Sequence, residues 1–175
     1  MSVLTAAARW SREQADEYAG SDAPERPLGA FVGLMAAYGA LAGAGALLVR
    51  KRGVSLSRPG LLDLLLMSVA TAKLSRLLAR DRVTSPLRAP FTTFEDFASA
   101  DEVEESPRGS GMQLAVGELV TCPWCLAQWV GTGLVLSSLV APRMTRLACA
   151  GLSAVAISDV VQHGMDRQLG GDVEK

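Results

Sequence analysis

Three cysteines and a single histidine occur in 175 residues, and aromatic side chains make up only 5% of them. Three cysteines are too few for a disulfide-stapled secreted scaffold. One histidine makes histidine-based catalysis a poor fit, and no Ser-His-Asp set stands out. There is no Gly-rich phosphate loop and no pair of carboxylates in an evident cleft. Repeats, low-complexity tracts and alternating strand patterns are also missing. A formal net charge of −1 removes the basic face that nucleic-acid binding would need. The first apolar run begins near Leu28, behind a net acidic stretch rather than a short basic start. An uncleaved first span is therefore expected in place of a cleavable signal peptide.

What is present is a set of long, nearly charge-free runs. The chain is 49% hydrophobic with a mean hydropathy of +0.24, and its charges gather in residues 9–26, 50–58, 73–108 and 163–175. This arrangement predicts an all-α, polytopic integral membrane protein. Four transmembrane helices are expected at about 28–49, 60–78, 123–141 and 146–162, within a membrane domain of 28–165. A long ordered interfacial loop, 80–119, joins spans two and three. Residues 1–27 and 166–175 read as polar tails, with Trp10 and Tyr18 in the first.

The first span carries Gly29 and Gly33, then Gly39 and Gly43, each pair four apart, and ends at Arg50-Lys51-Arg52. Such spacing lets helix backbones approach closely in lipid, either between copies or within one chain. The second span is less clean, with Asp63 near its start and Lys73 and Arg76 on one face of its last turns. The loop divides in two. Arg80–Phe91 mixes basic, proline and apolar residues and predicts a strap lying on the bundle. Glu95–Glu105 is acidic, lacks the ligand spacing and central glycine of an EF-hand, and is expected to be solvated and mobile. Met112–Val120 predicts a short amphipathic helix.

Four spans place the long loop and the end of the last span on one side of the membrane. Lys73, Arg76, Cys122, Cys125, Asp159 and His163 then share one interface, while Cys149 lies towards the other as a packed small residue. The basic, acid-free loops at 50–58 and 142–146 favour the cytoplasm, which puts the cysteine pair outside, whereas Arg76, Arg80, Arg82 and Arg88 argue the reverse for the long loop; the first reading is preferred and the orientation stays open.

Gly117-Glu-Leu-Val-Thr-Cys-Pro-Trp-Cys-Leu-Ala-Gln-Trp129 stands at the mouth of the third span. Thr121 or Cys122 is suited to cap a helix, Pro123 to begin it, and Cys125 to occupy its first turn, where the helix dipole favours a thiolate. Three readings compete. The pair is a redox dithiol, although only Cys149 remains as a second partner. It is half of a zinc site completed by Asp159 and His163, four apart on one helix face. Or it packs and caps an interface. Asp159, inside an apolar run, needs a partner, and Arg76 and Lys73 are the candidates; an ion pair locking spans two and four is preferred over a proton pathway. Glu118 is expected to cap free N–H groups or pair with Arg82 or Arg88. Trp124 and Trp129 fit an interfacial belt.

Several motifs in order carry a family resemblance. They are Leu74-Ser-Arg76-Leu-Leu-Ala-Arg-Asp81-Arg-Val-Thr84-Ser-Pro86-Leu-Arg88-Ala-Pro90-Phe91, then Pro107-Arg-Gly109, Gly117-Glu118-Leu, Cys122-Pro-Trp-Cys125, Trp129 and Ser158-Asp159. Over roughly residues 60–165 the chain resembles the bacterial membrane-protein family catalogued as domain of unknown function 1360. The resemblance implies a small multi-pass protein of the bacterial inner membrane, with a sporulation label on some members and no activity or cofactor to carry over. It marks Arg76, Asp81, Thr84, Pro86, Arg88, Glu118, Cys122, Cys125, Trp129 and Asp159 as matching positions. Arg76, Asp81, Arg88, Glu118 and Asp159 are expected to form a structural polar network. The expected role is a structural or accessory membrane component. A thiol–disulfide oxidoreductase using Cys122 and Cys125, or a zinc-stabilised module, stand as alternatives. The lipid bilayer is the expected partner, with self-association or a membrane complex through the Gly-rich first span.

Overall fold

A computed structural model describes residues 27–53, 60–99 and 101–171, together with Arg9, Glu13, Gln14 and Tyr18, with side chains described as far as Met165. Most of the expected N-terminal tail, including Trp10, and the last four residues lie outside the described residues. The described chain is mostly helical. Its elements are α1 (Leu28–Lys51), α2 (Leu61–Arg80), α3 (Ser85–Arg88), β1 (Thr92–Phe97), β2 (Val103–Pro107), α4 (Gly111–Thr121), α5 (Pro123–Val140) and α6 (Pro142–Gly171).

Among the described residues, three helices are long and apolar enough to cross a membrane: Leu28–Lys51, Pro123–Val140 and Pro142–Met165. α1 starts where the Pro27 carbonyl accepts from the N–H groups of Ala30 and Phe31, at 2.9 and 3.2 Å. It ends with Arg50 and Lys51 in the last turn, where cations complement the helix dipole. α2 forms a helix of 20 residues but falls short of the same composition because Asp63, Lys73 and Arg76 fall within any 18-residue stretch of it. The last helix runs on through Gly171, into what the sequence suggested was a tail.

The all-α expectation needs correcting. The acidic half of the loop is an antiparallel hairpin, not a mobile coil. Its register pairs Thr92 with Pro107, Phe94 with Glu105, Asp96 with Glu104 and Phe97 with Val103, with an irregularity between Phe94 and Asp96. Glu95 is the extra residue of a bulge. An extra residue restores the same facing to residues three apart. Phe94 and Phe97 therefore share a face with Thr92, Val103 and Glu105, and Asp96 and Glu104 share the other.

By its contacts the chain divides into two units, 1–44 with 79–122 and 45–78 with 123–175. In the first, the hairpin packs on α4. Gly117 is the closest point: a β-carbon there would come 2.6 Å from the Phe91 carbonyl oxygen and 3.0 Å from Pro107. Overpacking of this kind is destabilising, so glycine is required. Arg108 N–H donates to the Phe91 carbonyl at 3.0 Å, and Gln113 Nε2 to that of Pro90 at 2.9 Å. The strap is thereby stitched to the start of α4.

In the second unit, three polar contacts join α2 to α6 in the same order along both. Asp63 Oδ1 lies 3.0 Å from Arg146 Nε, Ser153 Oγ donates to the Leu66 carbonyl at 3.1 Å, and Lys73 Nζ meets Asp159 Oδ2 at 2.5 Å. The two helices thus run parallel. A β-carbon at Gly131 of α5 would sit 3.5 Å from Thr71. Thr71 is only about 7.5 Å along α2 from Leu66, whereas a straight helix would separate residues 131 and 153 by about 33 Å. α5 and α6 therefore fold back on each other at Ala141–Pro142. The buried side of α6, with Thr145, Cys149 and Ser153 at four-residue spacing, is made of small residues, and Cys149 serves there as packing.

Candidate functional site

The most enclosed polar cluster forms where the strap meets the hairpin. Thr84 precedes the single turn of α3, and Pro86 lies in that turn, where its missing N–H is not needed. That turn aims Ser85 and Arg88 at the hairpin. Arg88 is 1% exposed, and the Glu105 side chain is 6% exposed. Arg88 Nε donates to Glu105 Oε2 at 2.8 Å and Nη2 to Oε1 at 3.1 Å, a side-on, two-bond pair. Ser85 Oγ adds a bond to Oε1 at 2.9 Å and Thr92 Oγ1 one to Oε2 at 3.0 Å. The remaining donors of Arg88 reach Thr84 Oγ1 at 2.6 Å and the Asp81 carbonyl at 3.0 Å. Burial pushes the Glu105 carboxyl up. The hydrogen bonds from Arg88, Ser85 and Thr92, with the Arg88 charge, outweigh it and hold the group below its ordinary 4.5.

Asp81 closes the strap from the other end. Its Oδ1 accepts from Val83 N–H at 2.8 Å, and its backbone pairs with Glu102 beside the hairpin tip. Next to it, Arg82 stacks over the Phe97 ring at 4.1 Å, and Phe97 meets Phe94 edge-on at 5.1 Å. Of the two partners that the sequence suggested for Glu118, Arg88 pairs with Glu105 and Arg82 stacks on Phe97. Glu118 itself is half-buried on α4.

The cysteine motif is the joint between α4 and α5. Thr121 Oγ1 turns back to the Gly117 carbonyl at 2.9 Å, so it does not cap the next helix. Cys122 is extended, with φ −105° and ψ 105°, and donates its N–H to the Leu119 carbonyl at 3.4 Å. Pro123 is the first residue of α5. Cys125 follows in its first turn, exposed, beside Trp124, which is 88% exposed.

Of the zinc candidates, Asp159 gives its carboxylate to Lys73. His163 is exposed, and its Nδ1 lies 2.9 Å from the Asp159 carbonyl oxygen, a contact within the helix. Among the described residues, no group of three or more His, Cys, Asp or Glu side chains could hold a metal ion. Lys73 rather than Arg76 is the cation on Asp159, and Arg76 is exposed on α2. Sequence reasoning missed Glu105, Ser85 and Thr92, and the pairing of Asp63 with Arg146. Arg88 in a proline-bearing loop, with six acids and no base in the next stretch, was the signal available for Glu105.

Comparison with known proteins agrees with the resemblance of the motifs. The family described as a protein of unknown function (DUF1360) matches residues 66–165. The sporulation protein YjcA of Bacillus subtilis (strain 168) is 33% identical over 102 residues, covering 54% of this chain and 86% of the relative. No solved structure matches. The matched segment holds the strap, the hairpin, the cysteine motif and both partners of the Lys73–Asp159 pair.

Proposed function

The chain belongs to the DUF1360 family, and on that footing we propose that it is a four-span membrane protein acting as a structural or accessory component of the cell membrane. One observation carries the fourth span. α2 is too charged to count as a span by composition, yet Asp63 and Lys73 are each met by an opposite charge on α6. A charge that crosses lipid in company costs far less than one that crosses alone. The parallel run of α2 and α6 is also what the second and fourth of four spans must have. The basic end, with Arg50, Lys51, Arg52, Arg143 and Arg146, is assigned to the cytoplasm. The strap, the hairpin and the cysteine motif then lie outside. The relative's name speaks of sporulation, and nothing among these residues bears on that process.

Reporter fusions after Ser57 and after Ser99 test this reading. A fluorescent reporter is expected to work only after Ser57 and a phosphatase only after Ser99. The same reporter working at both would show that α2 does not cross.

Self-association through α1 is supported by a difference among its glycines. A β-carbon on Gly33 would meet Met112, and one on Gly45 would meet Leu136, whereas Gly39 and Gly43 have nothing within 4 Å. Packing within the chain therefore uses the first pair and leaves the second pair, four apart, open to another helix. Gly39→Ile with Gly43→Ile should abolish crosslinked dimers in vesicles and leave the monomer folded; dimers that persist would reject this surface.

A further inference from the structure

We propose that the β1–β2 hairpin is an amphipathic plate lying along the membrane surface, with the Phe94–Phe97 face against lipid and the acidic face in water. This rests on the four-span reading, which makes α1 and α2 membrane helices.

The hairpin is tied down at both ends. At its base, Pro107 and Phe91 press on Gly117 of α4. The same helix begins beside α1, where a β-carbon on Gly33 would come 3.0 Å from the Met112 methyl. Gly33 lies about 7.5 Å inside the start of α1 at a rise of 1.5 Å per residue, so the start of α4 is level with the membrane boundary. At its tip, Glu102 pairs with Asp81, the residue that directly follows α2. The Asp101 carbonyl accepts from the Arg82 N–H at 3.1 Å in the same place. Strands of this length span about 20 Å. A hairpin held at its tip by the residue that follows α2, and at its base by α4, which starts beside α1, lies across the surface rather than projecting from it.

A flat hairpin has one face towards the membrane, and the two faces here differ in kind. One carries Thr92, Phe94, Phe97, Val103 and Glu105, and its single acid is neutralised by Arg88. The other carries Thr93, Asp96, Glu104 and Ser106, with the Glu95 side chain accepting from Ser106. Val103 is buried and Glu105 is held by Ser85 and Arg88 of the strap, whereas Phe94 is 53% and Phe97 57% exposed. Half-covered aromatic rings, with Arg82 stacked on one of them, suit the headgroup boundary, where the ring meets acyl chain. The outer acids would be repelled by anionic headgroups, which sets the orientation. The bulge at Glu95 produces this segregation, because without it Phe97 would point with the acids.

The test uses the full chain in phosphatidylcholine–phosphatidylglycerol vesicles, with the native cysteines replaced and single cysteines introduced at Phe94, Phe97, Asp96 or Glu104. An environment-sensitive fluorophore at Phe94→Cys and Phe97→Cys should emit in the blue, be quenched by nitroxide lipid and resist iodide. At Asp96→Cys and Glu104→Cys it should behave as in water. Water-like emission at all four sites would overturn the proposal. So would shielding from iodide without quenching by nitroxide lipid, since that means a protein covers the face. If the substitutions disturb the fold, a diazirine-bearing phosphatidylcholine supplies the answer on the unsubstituted chain. Adducts on the 92–97 peptide are expected, and their absence overturns the proposal. The Ser57 and Ser99 fusions read the span count separately, so failure of that reading is distinguishable from failure here.

Discussion

Glu105 and Asp159 each face one cation, Glu105 at 2.8 Å from Arg88 Nε and Asp159 at 2.5 Å from Lys73 Nζ. Their surroundings differ. Glu105 and Arg88 are 6% and 1% exposed, and Ser85, Thr92 and Thr84 take up further bonding positions. Lys73 and Asp159 are 16% and 37% exposed, and a single contact joins them. The first pair is enclosed in protein, so removing either partner strands a charge. The second is partly open, and Lys73 lies about two turns before the end of α2, where a long side chain can reach the interface on its own. The first pair therefore specifies a local structure, the strap on the hairpin. The second permits a helix to be where its composition argues against it.

The largest effect is expected from Glu105→Ala. It leaves Arg88 buried and charged, at a cost of about 3–5 kcal/mol to the strap and hairpin. Hydrogen exchange of the hairpin amides measures it. The double change Arg88→Met with Glu105→Leu should cost less than the single one, because no charge is then stranded. Acid should act in the same direction. The folded-state pKa of Glu105 lies below its ordinary 4.5, so the folded form binds the proton more weakly than the unfolded one. Its contribution is complete above the unfolded pKa and is lost as pH falls through the depressed folded value. Hairpin protection that is unchanged from pH about 6 down to about 3 would contradict this linkage.

A smaller effect is expected for the pair between helices. A double-mutant cycle on Lys73→Ala and Asp159→Ala should give a coupling of about 0.5–2 kcal/mol, in the range of polar contacts between membrane helices. The exchange Lys73→Asp with Asp159→Lys should recover most of what either reversal loses. A coupling as large as the Glu105→Ala loss would erase the distinction between the two regions.

The long helices were legible because an apolar run of membrane length has few other readings. So was the joint at Cys122–Pro123, where proline at a helix start leaves little choice. The hairpin was not legible, for two physical reasons. Its outward positions are acids, which are poor strand formers, and the bulge at Glu95 breaks the alternation by which a strand is recognised. Glu105 was hidden among acidic neighbours of the same type. What distinguishes it is a guanidinium that lies 17 residues earlier in sequence and reaches it only once the hairpin has formed. The choice of Lys73 over Arg76 for Asp159 also depended on tertiary placement, since both stand on one face of α2.

The smallest expected effect bears on the hairpin's register, on which its two-faced character depends. Asp96 and Glu104 are directly opposite, and like charges in that relation weaken a strand pair. Glu104→Lys replaces the repulsion with an attraction and should stabilise the hairpin by about 0.2–1 kcal/mol, read as slower exchange of the amides of 92–97 and 103–107. The sign is informative because the bulge decides it. If Glu95 were not the extra residue, Asp96 would stand opposite a different partner and a lysine at 104 would gain nothing from it. If position 104 faced inward, the added cation would meet the buried Arg88 and the change would destabilise. Only an outward Glu104 paired with Asp96 yields a gain.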